Sequence, residues 1–268
     1  MPVPFRIMGI VNATPDSFSD GGRYLDTTAA VAHARELEAE GAAILDLGGE
    51  STRPGADPVA ADEERRRVVP VIEALTAGGS AAQLSIDTIK LEVAQAAVDA
   101  GATYLNDVTA FRHDPGMAAL VAERGLDCCL THMRGEPRTM QSDPVYDDVV
   151  SDVKAFLEER LAFAVAEGVP EERIQLDPGI GFGKTAEHNL QLLARLDELL
   201  ALGRPLVVGV SRKSFLGSIT GRDIDHRLAA TLAANVLAFT KGATIFRVHD
   251  VAPLRDALAV AAATVRAR

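Results

Sequence analysis

Short apolar runs alternate along the chain with longer amphipathic segments. The runs are Phe5 to Val11, Ala42 to Leu47, Gln83 to Ile86, Thr103 to Leu105, Leu126 to Thr131, Arg173 to Leu176, Pro205 to Val210 and Ala243 to Val248. Runs of this length bounded by turn residues read as strands. Between them the helical period dominates. Thr27 or Thr28 can cap a helix that runs to Glu40 and stops at Gly41. Further helices are expected over Asp62 to Leu75, Lys90 to Ala100, Asp147 to Glu167, Asp225 to Lys241 and Ala252 to Arg268. Leu190, Leu193, Leu196 and Leu200 have the spacing of one buried helical stripe. Gly-Ala follows three of the helices, at Gly41-Ala42, Gly101-Ala102 and Gly242-Ala243. Alternating strands and helices imply a parallel sheet. Eight repeats favour an α/β fold of the closed (β/α)8 TIM-barrel type over an open doubly wound sheet. No linker, low-complexity stretch or break in composition interrupts residues 1–268, so one domain is expected.

Polar residues stand where most of these strands end. They are Asn12, the run Glu50-Ser51-Thr52-Arg53, Asp87, Asn106-Asp107, His132, Asp177, Ser211-Arg212-Lys213, and Arg247 with His249. A lone polar residue after a strand is often a turn or cap. A barrel gathers the whole set at one mouth, where barrel enzymes keep their active sites. Asp87, Asn106 and Asp177 offer carboxylates and an amide, which suit the polar edge of a flat heterocycle. Arg53, Lys213, Arg247 and His249 offer cations or donors for an anion such as a phosphate. Asn12 can hold a Mg2+ ion together with substrate oxygens, because that ion often takes few protein ligands. No Ser-His-Asp arrangement and no zinc-ligand spacing stands out.

Composition narrows the choice. The 268 residues are 47% hydrophobic and 24% charged, enough apolar material for a sizeable core. The net charge of −11 argues against broad nucleic-acid binding, which needs a basic face. Cys128 and Cys129 are adjacent in an apolar run, so on a strand they face opposite ways and read as core residues. The N-terminus has no basic region followed by a long apolar stretch. No segment approaches the roughly 20 apolar residues of a membrane span. A cytoplasmic protein is expected. The stretch Gly179 to Thr185 mimics the end of a phosphate-binding P-loop, but Pro178 stands where that motif needs its first glycine. Its glycines read instead as a tight strand-to-helix loop beside Asp177, with Phe182 exposed to stack on an aromatic ring.

The same residues carry a family resemblance over nearly the whole chain. Met8 to Gly22 (MGIVNATPDSFSDGG) and Asp46 to Gly55 (DLGGESTRPG) resemble the two opening signatures of the dihydropteroate synthases. Ser85 to Thr88, Asn106 to Val108, His132-Met133, Asp177 to Lys184, Ser211 to Ser214 and Arg247 to Asp250 follow in family order. The resemblance implies a (β/α)8 barrel, usually a homodimer, acting on 6-hydroxymethyl-7,8-dihydropterin diphosphate and p-aminobenzoate. It implies that Asp87, Asn106, Asp177 and Lys213 hold the pterin, with Met133 against the ring. It implies a diphosphate site of Asn12, Arg53, Arg247 and His249, with Mg2+ near Asn12. Thr52, Pro54, Phe182, Lys213 and Ser214 would shape the p-aminobenzoate site, where sulfonamides bind in this family. Asp87, Asp177, Lys213 and Arg247 are the candidate catalytic groups. Two departures stand out. Thr109-Ala110 replaces the usual Ser-Gly, which bears on a loop with positive φ, and Cys129-Leu130-Thr131 is less usual before the histidine. Two other readings stay open: a barrel methyltransferase using a methylated folate, and a non-catalytic pterin-binding relative.

Overall fold

The structure is a computed structural model that describes residues 5–13, 23–51, 56–135 and 139–267. Eight parallel strands lie in the order β6-β5-β4-β3-β2-β1-β8-β7. They are β1 (Arg6–Asn12), β2 (Ile44–Gly48), β3 (Gln83–Asp87), β4 (Tyr104–Asp107), β5 (Asp127–Thr131), β6 (Ile174–Asp177), β7 (Val207–Val208) and β8 (Ile245–Val248). A parallel bridge between Leu176 and Leu206 joins the two ends of that order, so the sheet closes on itself. This is the (β/α)8 barrel expected from the alternation.

Alternation of side chains along each strand decides what the barrel contains. On β4, Tyr104 and Asn106 point one way, Leu105 and Asp107 the other. Leu105 joins the large core between strands and helices, with Ile7, Leu45, Ile86, Cys128, Leu176, Val208 and Phe246. Tyr104 joins a separate cluster with Met8, Ile44, Cys129, Val207 and Ile245. These six come from six strands and form the apolar floor of the barrel. Cys128 and Cys129 are both buried and free, one in each cluster. Above the floor the inward positions become polar. The registers Asn12↔Gly48, Gly48↔Asp87 and Asp87↔Asn106 set these residues level with one another.

Helices α1 (Arg23–Glu40), α2 (Ala61–Ala77), α3 (Leu91–Ala100), α4 (Gly116–Arg124), α5 (Val149–Ala166), α6 (Ala186–Ala194), α7 (Ser214–Thr220), α8 (Leu228–Thr240) and α9 (Val251–Arg266) complete the crossovers. Two expectations change. The first helix begins at Arg23, before either threonine expected to cap it. The leucine stripe is broken, because α6 ends at Ala194 and the chain continues as a 3-10 turn over Leu196–Leu202. Leu193 and Leu196 are buried while Leu190 and Leu200 are exposed: α6 buries Asn189, Leu192 and Leu193 and so leaves Leu190 off its inner face, and the tighter turn shifts the phase before Leu200. Short α4 and α7 carry too few periodic positions to stand out in sequence.

The Thr109-Ala110 departure falls on an unusual backbone. Ala110 and Phe111 have φ of 53° and 63°. Asp107 holds this turn, its carboxylate accepting from the backbone N–H of Thr109 (2.7 Å) and of Phe111 (3.0 Å). The guanidinium of Arg160 donates to Ala110 O at 2.8 Å. Alanine therefore keeps a left-handed conformation that glycine adopts freely. Ala110→Gly relieves about 1–2 kcal/mol of left-handed strain. It adds about 0.4–1 kcal/mol of unfolded-state entropy. The expected net gain is on the order of 1 kcal/mol, or about 2–4 °C in Tm by calorimetry, and a lowered Tm would contradict this reading.

Candidate active site

Above the apolar floor, Arg247 from β8 reaches across the barrel mouth. Its Nε donates to Asp46 Oδ2 and its Nη2 to Asp87 Oδ2, both at 2.6 Å. Asp46 is fully buried and also accepts from Ser85 Oγ (2.6 Å) and Asn106 Nδ2 (3.0 Å). Strands β2, β3, β4 and β8 are thus tied through one carboxylate. Burial raises the Asp87 pKa to about 7; Arg247 opposes this and Asp46 adds to it. Burial lowers Arg247 less than its two carboxylates raise it, so it stays above the ordinary arginine value.

Asp177 ends β6 on the other side of the mouth. Its Oδ1 accepts from Gly179 N at 2.7 Å. Burial raises its pKa, against the pull of Lys213 and the Gly179 bond. Burial lowers Lys213 to about 8, with Asp177 opposing and Arg247 reinforcing the shift. A methyl group on Gly209 would lie 3.8 Å from Arg247 Cβ, 3.9 Å from Asp177 Oδ2 and 4.0 Å from Lys213 Nζ. The glycine leaves open the space that these three groups border. Lys213 Nζ also donates to Ile180 O and stands 4.4 Å from the centre of the Phe182 ring. Phe182 is half-buried rather than exposed, packing on Val108, Met133 and Met140. Ser214 is exposed as the first residue of α7.

At the rim, Ser211 Oγ lies 2.9 Å from His249 Nδ1 and accepts from the His249 backbone N–H at 3.2 Å. Arg212 binds Asp250 through Nε (3.1 Å) and Nη2 (2.6 Å), tying the loops after β7 and β8 together. Asn12 is half-buried at the end of β1, level with Asp87. Among the described residues, no group of three or more His, Cys, Asp or Glu could hold a metal ion. A cation here would need oxygens from a ligand beside the Asn12 amide.

The structure therefore brings Asp87, Asn106, Asp177, Lys213 and Arg247 to one mouth, with Phe182 and Met133 beside it. Thr52, Arg53 and Pro54 lie outside the described residues. Two polar residues placed at the mouth by sequence are used elsewhere. Asp107 points outward and caps its own loop, and the His132 ring lies beneath the β6–α6 loop against Lys184. Asp46 is the residue that strand-end reasoning passes over. Its signal is a charge in the middle of an otherwise apolar run.

The family model described as pterin binding enzyme matches residues 8–249. The dihydropteroate synthase of Escherichia coli (strain K12) is 45% identical over 263 residues, covering 98% of this chain and 93% of that protein. The Xanthomonas albilineans dihydropteroate synthase structure with 4-aminobenzoic acid superposes with a TM-score of 0.91 at 50% identity, covering 97% of this chain and 93% of the other. The structure of that species' synthase in complex with 7,8-dihydropteroate gives a TM-score of 0.88 at 48% identity, with the same coverage.

Removing one partner of a buried ion pair strands the other charge. Asp46→Ala leaves Arg247 with Asp87 alone and frees the Asn106 and Ser85 donors. Urea unfolding is expected to show a loss of about 3 kcal/mol, and a loss below about 1 kcal/mol would mean that Asp46 does not organise the mouth.

Proposed function

The chain belongs to the pterin-binding enzyme family, and within it we infer the activity of a dihydropteroate synthase. This transferase joins 6-hydroxymethyl-7,8-dihydropterin diphosphate to p-aminobenzoate, giving 7,8-dihydropteroate and diphosphate. The observation that carries the reading is the buried polar level of Asp46, Asp87, Asn106, Asp177 and Arg247 above the apolar floor. A flat heterocycle with donors and acceptors along one edge fits such a level.

On this reading Asp87 and Asp177 accept from the pterin N–H groups, Asn106 fills the remaining edge, and Lys213 donates to a ring oxygen or nitrogen. Met133 packs against the ring. Arg247 and His249 face the diphosphate, a role that the family resemblance also gives to Arg53. Asn12 would hold a Mg2+ ion shared with diphosphate oxygens, and that ion, when bound, would add positive charge at the leaving group. The Asn12 amide is half-buried, and no group of three or more His, Cys, Asp or Glu among the described residues could hold a metal ion, which fits an ion that arrives with its substrate. Phe182, Lys213 and Ser214 frame the p-aminobenzoate, and the family resemblance adds Thr52 and Pro54.

The bond that breaks is from the pterin CH2 to the diphosphate oxygen, and the electron pair leaves with the diphosphate. The bond that forms is from that carbon to the arylamine nitrogen, which then loses a proton. The arylamine is a weak nucleophile, whereas the electron-rich dihydropterin can carry positive charge at the reacting carbon. A dissociative path follows. Asp87 and Asp177 supply negative charge beside the developing cation, and Arg247 steadies the departing anion. The site fixes both reactants in line.

No helix among the described residues is long and apolar enough to cross a membrane. The wider setting we propose is one cytoplasmic domain that pairs as a homodimer. Leu228–Thr240 contains no charged residue, although Leu228 and Leu237 are exposed. A barrel helix facing only water would carry a polar outer face, so α8 is the proposed contact.

Purified protein should form dihydropteroate from the two substrates and lose activity when Mg2+ is chelated. Asp177→Asn and Lys213→Ala should each lower kcat/KM by about 100-fold or more; wild-type turnover in either would remove these assignments. Because Asp87 accepts in its ionised form and titrates near 7, kcat/KM for the pterin substrate should rise as pH climbs through neutrality. Asp87→Asn should remove that rise, and an unchanged profile would contradict the role. Sedimentation should show a dimer that Leu237→Glu shifts towards monomer; an unaffected equilibrium would exclude α8.

A further inference from the structure

The loop between β6 and α6 has little regular structure, yet five successive carbonyls in it each meet a donor. Gly179 O accepts from Phe182 N (3.0 Å) and from Lys184 Nζ (2.9 Å). Ile180 O accepts from Lys213 Nζ. Gly181 O accepts from Gln141 Nε2 (2.5 Å), Phe182 O from Lys184 Nζ (3.0 Å), and Gly183 O from the Tyr146 hydroxyl (2.8 Å). The chain packs closely under this loop. A Cβ on Gly179 would overlap His132 O, and one on Gly183 would overlap Arg134 O.

Lys184 is the hub of the arrangement. Its ammonium bridges Gly179 O and Phe182 O, the two ends of the turn that presents the Phe182 ring. Its third bond goes to His132 Nδ1 at 2.8 Å. Lys184 is 3% exposed, and its three partners among the described residues are two carbonyls and a ring nitrogen, with no carboxylate. Burial and the nearby charge of Lys213 push its pKa well below the ordinary lysine value. With Lys184 charged, His132 accepts at Nδ1 and carries its proton on Nε2. Burial, with Lys184 adding to it, lowers its pKa to about 2. The ring is braced edge-on by Phe156, with centroids 4.8 Å apart. A buried ammonium with only neutral acceptors is costly. What the geometry gains from it is a fixed turn.

We propose that Lys184, with His132 as its uncharged acceptor, is a positioning residue for Phe182 and Lys213 at the arylamine site. It lies under the loop rather than at the reacting atoms. Lys213 is bonded to Ile180 O inside the same turn and sits over the Phe182 ring, so one shift of the turn displaces both. The proposal rests on the reading of this loop as the p-aminobenzoate wall.

The test is steady-state kinetics with both substrates on wild type, Lys184→Met and His132→Leu. Lys184→Met should raise KM for p-aminobenzoate about tenfold and KM for the pterin diphosphate only about threefold, since the displaced Lys213 also meets the pterin while Asp87 and Asn106 sit on strands. His132→Leu, which leaves the two carbonyl bonds, should give the same split at about threefold. If Lys184→Met does not fold, the His132→Leu split decides. Wild type that forms no dihydropteroate would overturn the activity reading and this proposal with it. Active wild type, with variants that keep both KM values, raise both equally, or lose only active fraction, would overturn the proposal alone.

Discussion

The guanidinium of Arg247, held between Asp46 and Asp87, fixes the geometry on which the mouth depends. Arg247 comes from the last strand and its carboxylates from the second and third, so one side chain joins the end of the chain to its beginning. The contacts are short and sit above an apolar floor, where water competes poorly and charge–charge interactions strengthen. Ser85 and Asn106 complete Asp46, so its carboxylate has one orientation. A substrate meets donors and acceptors already aimed, which is the condition for electrostatic stabilisation of a transition state. The cost is a buried network that tolerates the loss of no single partner.

Around this network the barrel separates tasks by depth. The floor of Met8, Ile44, Tyr104, Cys129, Val207 and Ile245 excludes water from below. The next level carries the acids and amide suited to a pterin edge. The rim carries His249, Arg212 and the β6–α6 loop. Two lysines serve that loop differently. Lys213 borders the open space beside Gly209, whereas Lys184 is buried under the turn and bonds its carbonyls from below.

The strands are legible in sequence because each is a short apolar run. The mouth is legible because polar residues interrupt the pattern where the runs end, and Asp87, Asn106, Asp177, Lys213 and Arg247 all stand at such interruptions. Side-chain direction is harder to read. Asp107 ends the same strand as Asn106 but faces outward, because successive strand residues alternate. His132 follows a strand too, yet its ring turns under a loop whose path depends on three later glycines. Asp46 escapes strand-end reasoning because it lies inside a run rather than at its end. The leucine stripe fails where an α-helix tightens into a 3-10 turn, a change of period that leucine spacing alone does not reveal. At Ala110 the departure from the family pattern does mark a left-handed backbone, and the structure keeps that conformation without glycine.

On the proposed function, the buried polar level recognises the pterin itself, independently of the diphosphate. Calorimetric titration of 6-hydroxymethylpterin, which lacks the diphosphate, into wild type and Asp177→Asn tests it directly. Measurable binding to wild type without Mg2+ is expected, weakened about 100-fold by the substitution. Equal affinity for both proteins, or no binding to wild type, would contradict it.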